Sequence, residues 1–341
     1  MKAVMIDRPH HVIVTDIENA PLKSDEVRIQ VKAAGICGSD IHALKGLHPF
    51  RIPPVVIGHE ISGLVAEIGD SVTRVKVGDR VAVEPQIGCG KCSHCLRGEV
   101  NQCTNRKAPG IDPWYGTMAE NFVAPEHIVF KLPDDMDYNL AALAEPLAVG
   151  VHAVQQAAIK PGDKVAILGT GPIGLLALAA AKEAGATTIL ATDIFDYCLE
   201  RAQQMGATHT LNIKDRPNWV EEAKKLIGSS FDRVLIAVGV PGIINDSLSL
   251  IRRHGRVVTI AMFQKEQSLD IMQLQGQEKE LVGCFCYTHD DVAAAVALLA
   301  AGRINGHAVI THTLPYTEAA KGFRMVEKKE DQPLKVLITF N

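Results

Sequence analysis

Three groups of residues in this chain have the types and spacing to do chemistry. In Gly35-Ile36-Cys37-Gly38-Ser39-Asp40-Ile41-His42, a thiol, a hydroxyl, a carboxylate and an imidazole fall within six residues. Gly58-His59-Glu60 follows downstream, and Ala144-Glu145-Pro146 comes much later. A catalytic zinc needs about three protein ligands and one open position, drawn from Cys, His and carboxylate. Cys37, His59 and Glu60 meet that need, with Glu145 as a fourth or an exchanging ligand. Taken singly, each has a plainer role: Cys37 as a small buried apolar residue, His59 as a hydrogen-bonded core histidine, and Glu60 and Glu145 as surface or structural acids.

The second group is Cys89-x2-Cys92-x2-Cys95-x7-Cys103, four of the eight cysteines inside fifteen residues. Four thiolates close a tetrahedral sphere and leave no position for water or substrate, so the pattern fits a structural zinc. Three ligands at i, i+3 and i+6 wrap one ion only where the backbone turns tightly, and Gly88, Gly90 and Gly98 help to supply that freedom. Free cysteines, disulfides and a nucleic-acid zinc ribbon fit less well. A ribbon spaces its C-x2-C pairs farther apart, and Lys91, Arg97, Arg106 and Lys107 form no basic-aromatic face. Cys198, Cys284 and Cys286 are assigned no chemistry.

The third group is Gly169-Thr170-Gly171-Pro172-Ile173-Gly174, which follows the strand-like KVAIL and opens an Ala/Leu-rich helix. In a dinucleotide loop the first glycine permits the turn, the second lets a pyrophosphate approach the backbone, and the third permits close packing of helix on strand. The helix N-terminus offers amide donors to phosphate. Asp193 ends the next strand 19 residues after Gly174, where an acid would bond the ribose hydroxyls. Its charge would repel a 2′-phosphate, and Ile194, Phe195 and Asp196 bring no cation to hold one, which favours NAD over NADP.

The elements that must position these groups are of two textures. Up to about residue 145, short alternating or apolar runs such as 27–35, 63–69 and 80–85, punctuated by Gly, Pro and Asp, read as strands of a barrel or sandwich. From 164 to about 287, strands alternate with helices, which predicts βαβ units on a parallel sheet. Within that stretch, 243–255 reads as one helix. Helices near 290–302 and 317–327 and a strand at 334–340 close the chain. At 341 residues two domains are expected. A net charge of -4 gives no support for a nucleic-acid or anionic-membrane surface. No apolar run is long enough to span a bilayer, and the N-terminus MKAVMIDRPHH has no apolar core of a secretory signal, so a cytoplasmic location is expected.

In this order, Gly-Ile-Cys-Gly-Ser-Asp-x-His, Gly-His-Glu, the four-cysteine lobe, Ala-Glu-Pro and the glycine loop resemble the zinc-containing medium-chain dehydrogenase/reductase superfamily over essentially the whole chain. Glu60 directly after His59, and Ala-Glu-Pro around Glu145, bring it nearest the polyol (sorbitol-type) and L-threonine dehydrogenase branch. The resemblance implies an α/β plus β fold. A GroES-like β-barrel catalytic domain (1–147 and 288–341, with a zinc lobe at about 86–105) would carry an inserted Rossmann doubly wound parallel sheet (148–287). It implies two zincs per chain, one catalytic and one structural, with NAD as cofactor and a homodimer or homotetramer as the assembly.

By the same resemblance, Cys37 and His59 are core zinc ligands, Glu60 is the branch's third ligand, and Glu145 binds zinc directly or through water. Ser39 accepts the substrate alcohol's proton, His42 passes it onward, and Asp40 orients His59. Arg51, Trp114 and Tyr115 are candidate substrate-pocket residues. The implied reaction is zinc-dependent oxidation of a secondary alcohol, in a polyol or a sugar-derived hydroxy compound, to a ketone with hydride transfer to NAD. Alternatives are an L-threonine 3-dehydrogenase and an aldonate (sugar acid) dehydrogenase. A zinc-free quinone or enone reductase would not need Cys37, His59 and Glu60. A nucleotide sensor or lens-type structural protein would not need them together with Ser39 and His42.

Overall fold

A computed structural model describes residues 1–340, which divide into two compact units. The first holds residues 1–145, 288–302 and 310–340, and the second holds 146–287 and 303–309. The short excursion 303–309 differs from the single C-terminal piece expected after residue 288. It joins the second unit because the turn Gly306–Ala308 contacts the helix Asp196–Met205, and Arg303 pairs with Glu183 at 2.7 Å.

In the first unit, the strands Lys2–Arg8, His11–Asp16 and Val55–Val56 make a three-stranded antiparallel sheet. A seven-stranded sheet runs through Ile310–Pro315, Lys335–Thr339, Glu26–Gly35, Glu60–Ile68, Arg80–Val83 and Val129–Lys131 in that spatial order, with Asn121–Pro125 also paired to Glu26–Gly35. Glu26–Gly35 is central, and its Val27, Ile29 and Val31 are fully buried. They join Val4, Ile6, Val65, Val81, Phe122 and Phe323 in one apolar core. Removing that apolar area from water is what holds the sheet strands in register. Two register shifts along Glu26–Gly35, at Arg28/Ile29 and Val31/Ala33, bend the strand as bulges do.

In the second unit, six parallel strands lie in the order His209–Asn212, Thr188–Asp193, Lys164–Leu168, Phe231–Ile236, Ile251–Thr259 and Glu280–Gly283. In chain order this is 3-2-1-4-5-6, the doubly wound arrangement whose order reverses between the first and fourth strands. Ala166, Leu168, Phe231, Val234 and Val257 fill its core, all fully buried. The helix expected over 243–255 stops at Leu250, and Arg252, Arg253 and His254 belong to the strand Ile251–Thr259. Pairing of Ile251 with Phe231 and of Arg252 with Asp232 at 2.6 Å overrides the local helical pattern. Among the described residues no helix is long and apolar enough to cross a membrane.

Candidate active site

Two strand ends assemble the first cluster. Glu26–Gly35 ends two residues before Cys37, which directly precedes the helix Gly38–Leu44. Glu60 opens its strand, pairs in register with Gly35, and follows His59. One ligand atom from each of Cys37, His59 and Glu60 lies within 4.8 Å of the others. Asp40 lies beneath them at 0% exposure. Its Oδ2 accepts the Cys37 backbone amide at 2.9 Å, and its Oδ1 faces His59 Nδ1 at 3.4 Å and Arg51 Nη1 at 4.0 Å. One carboxylate thus positions the backbone of the thiol and the ring of the imidazole. Burial works against both charges. Even so, Asp40 and Cys37 hold the His59 pKa well above its usual 6.5, and His59, Arg51 and the Cys37 amide keep Asp40 below its usual 3.8.

Asp40 Oδ1 and His59 Nδ1 have only each other, whereas Glu60 Oε2 is buried without a hydrogen-bond partner. Such an atom is uncommon in a folded protein and calls for a ligand or an ion. A cation held by Cys37, His59 and Glu60 would satisfy Glu60 Oε2, and one thiolate, one imidazole and one carboxylate are a donor set suited to zinc. Glu145 is buried in the first turn of the helix Ala144–Ala157, outside the three converging residues, and its charge is felt at Lys335.

Sequence reasoning missed Lys335. This lysine is 2% exposed and opens the strand Lys335–Thr339. Its Nζ donates to Glu60 Oε1 at 2.5 Å and to the Ile36 carbonyl at 3.2 Å. The available signal was a lone cation within the apolar run 334–340, since a buried lysine requires a partner.

Ser39 and His42 are half-buried on the helix Gly38–Leu44. Arg51 is buried, with Nη1 donating to Ser39 Oγ at 3.2 Å and Nε to the Pro109 carbonyl at 3.0 Å. It therefore couples the Ser39 hydroxyl to the loop that follows the four-cysteine lobe. Trp114 stacks on Phe122 with ring centroids 5.4 Å apart, donates to the Val123 carbonyl at 2.9 Å, and packs against the barrel core. Tyr115 beside it is exposed.

The sulfurs of Cys89, Cys92, Cys95 and Cys103 all lie within 4.8 Å of one another. Backbone amides already point at them: Cys95 N–H at Cys92 Sγ and Cys89 N–H at Cys103 Sγ, both at 3.4 Å. The amides of Lys91 and Cys92 lower the Cys89 thiol to about 6, while burial and the neighbouring thiols push Cys95 up to about 11. Four close thiols cannot all ionise without a cation among them, and a metal supplies it.

At the glycine loop each glycine has its own reason. Gly169 takes a φ of +87°, the left-handed region a side chain resists. A Cβ on Gly174 would strike the Gly169 carbonyl at 1.9 Å, whereas one on Gly171 would meet nothing within 4 Å. That open space lies at the N-terminus of the helix Pro172–Glu183, beside the first strand at the switch point. Asp193 Oδ2 accepts from Thr170 N at 2.7 Å and Thr170 Oγ1 at 3.2 Å, and Oδ1 from the amides of Ile194 and Phe195 at 2.8 and 3.1 Å. The acid is thereby tied to the loop. The geometry fits a dinucleotide.

Residues 23–134 match the family model of the alcohol dehydrogenase GroES-like domain, and residues 172–301 that of the zinc-binding dehydrogenase domain. The chain is 37% identical to sorbitol dehydrogenase 1 of Saccharomyces cerevisiae over 87% of its length and 86% of that protein's. It is 33% identical to the sorbitol dehydrogenase of Bacillus subtilis, over 99% of this chain and 97% of that one. The crystal structure of 2R,3R-butanediol dehydrogenase from Bacillus subtilis superposes with a TM-score of 0.91 at 30% identity, covering 100% of this chain and 99% of that one. The expected fold class, a GroES-like domain with a Rossmann-type parallel sheet, is therefore the one observed. With these motifs, this fold and these relatives, the chain belongs to the zinc-containing medium-chain dehydrogenase/reductase superfamily, in its polyol dehydrogenase branch, and is an alcohol dehydrogenase.

Proposed function

We propose that this protein oxidises a secondary alcohol of a polyol or sugar-derived hydroxy compound to a ketone and passes the hydride to NAD. The observation that carries this reading is the convergence of Cys37, His59 and Glu60, with Glu60 Oε2 buried and unpartnered. These three would hold a catalytic zinc, with Glu145 able to enter or leave, and Cys89, Cys92, Cys95 and Cys103 a structural one. Zinc, when bound, supplies a Lewis acid that makes an alcohol hydroxyl more acidic, and NAD accepts the hydride.

The chain's own residues do the rest. Ser39 Oγ takes the hydroxyl proton and His42 carries it on, a general-base relay. Arg51, donating to Ser39 Oγ, restrains that hydroxyl. Asp40 holds His59 through the ring nitrogen turned to it, leaving the other nitrogen for metal. Gly171 admits the pyrophosphate, and Asp193 takes the adenosine ribose hydroxyls and disfavours a 2′-phosphate. In this reading the first unit is the catalytic domain and the second, with 303–309, the nucleotide domain. The protein works in the cytoplasm as a homodimer or homotetramer.

Arg51 supports a second reading. A guanidinium 3.2 Å from Ser39 Oγ could pair with the carboxylate of an aldonate or of L-threonine. The test is NAD reduction over a panel of polyols, aldonates and threonine, with zinc analysis alongside. Turnover of polyols with two zincs per chain is expected. Preference for a carboxylate substrate would transfer the reading to the alternatives, and turnover by protein with no zinc at Cys37, His59 and Glu60 would overturn it.

A further inference from the structure

The strand Glu26–Gly35 runs between Lys335–Thr339 and Glu60–Ile68. Its last residue, Gly35, pairs with Leu337 on one side and Glu60 on the other. Because Gly35 has no side chain, the Glu60 carboxylate lies over it: a Cβ at position 35 would fall onto Glu60 Oε2. From the opposite neighbouring strand Lys335 reaches the same space and donates to Glu60 Oε1. The side chains are 2% and 0% exposed, so water screens neither charge. One carboxylate oxygen is committed to the lysine, and the other has no hydrogen-bond partner.

We propose that Lys335 is an internal counter-ion that competes with the metal for Glu60. It holds the carboxylate in place when the metal is out and weakens the carboxylate's grip when the metal is in. Removing one partner of a buried ion pair leaves a costly lone charge. A divalent cation beside Glu60 can replace the ammonium as its counter-charge. The ammonium therefore stabilises the metal-free site most. In the loaded site it repels the cation across a medium that screens poorly. Glu60 becomes an exchangeable ligand, and Lys335 acts through it as a positioning residue. The inference rests on the reading of Cys37, His59 and Glu60 as a zinc site.

The test uses the full chain. In a Cys37→Ser background, which empties this site and spares the four-cysteine lobe, Glu60→Gln, Lys335→Met and the pair are compared by thermal melting. Each single substitution is expected to lower Tm, and the pair to melt above either one. Losses that add in the pair would overturn the counter-ion. A Lys335→Met protein that fails to fold while the pair folds supports it equally.

In the otherwise native chain, zinc release to a chelator is followed, and the phase missing from Cys37→Ser is assigned to this site. Release from Lys335→Met is expected about tenfold slower than from the native chain, the scale of second-sphere effects on metal affinity, and Lys335→Arg close to native. Equal or faster release from Lys335→Met overturns the competition. A native chain with no such phase overturns the zinc reading and the competition with it. The melting cycle still reports on the ion pair, so the two failures are told apart.

Discussion

The four-cysteine lobe and the Cys37–His59–Glu60 centre solve the same electrostatic problem in different ways. The lobe gathers its four thiols from one fifteen-residue segment, and backbone amides are their nearest donors. The centre draws on two strand ends and surrounds its donors with Asp40, Arg51 and Lys335, all buried. A closed site needs only ligands, because nothing is to happen there. An open site needs charges that orient each donor, since with one position left to water or substrate fewer protein ligands brace one another.

Substituting one thiol in each site breaks the comparison most sharply. Cys37→Ser is expected to lower kcat/KM by about a thousandfold or more, since several kcal/mol of Lewis-acid stabilisation are lost and each 1.36 kcal/mol is about tenfold. Cys92→Ser is expected to lower Tm and remove the lobe's zinc, while the molecules that stay folded keep most of their turnover. Paired zinc analysis, melting and kinetics decide it; equal losses of turnover in folded protein would erase the distinction.

Asp40→Asn should have a smaller effect, confined to the open centre. The amide keeps an acceptor for the Cys37 backbone but loses the charge facing His59, so zinc affinity should fall about 10–100-fold. Competition with a chelator measures this, and the lobe's zinc should be unaffected.

The smallest effect lies on the lobe side. Arg106 donates to Gln86 at 3.0 Å, Gln86 to Glu84 at 2.9 Å, and Glu84 holds His289 at 2.6 Å, tying the lobe's flank to the helix His289–Ala300. The bond to Glu84 raises the His289 pKa above 6.5, against the pull of burial. The folded protein therefore binds this proton more tightly than the unfolded chain. The stability gained is fully present below pH 6.5 and is lost as pH rises through the folded value. For a half-exposed histidine it amounts to less than about 1 kcal/mol. Melting at pH 6 and pH 8 should show this slope in the native chain and not in Glu84→Gln; the same slope in both would rule the pair out as its source.

Much of the site was legible because its chemistry is written locally. Cys-x2-Cys-x2-Cys, Gly-His-Glu and the glycine loop each place their groups within a few residues of backbone, and elementary turn geometry leaves them little choice. Lys335 was not legible in this way. Arg51 stands in sequence only as a candidate pocket residue, and it is the 109–110 segment closing over it that turns it to Ser39. The helix end at Leu250 is hard to read in sequence because three polar residues continue its pattern, and only the neighbouring strand, where Ile251 meets Phe231, shows that the chain has turned extended.

By itself the sequence determined the kinds of donor available, their grouping, the dinucleotide loop and the alternation of strand and helix. These depend on spacings of a few residues and on side-chain chemistry. Tertiary structure alone decided that Lys335 meets Glu60, 275 positions away in sequence. It also made Asp40 serve both Cys37 and His59. The physical reason is burial. Once the sheet closes, charges without water must find one another, and which ones do so depends on strand order and on the missing side chain of Gly35.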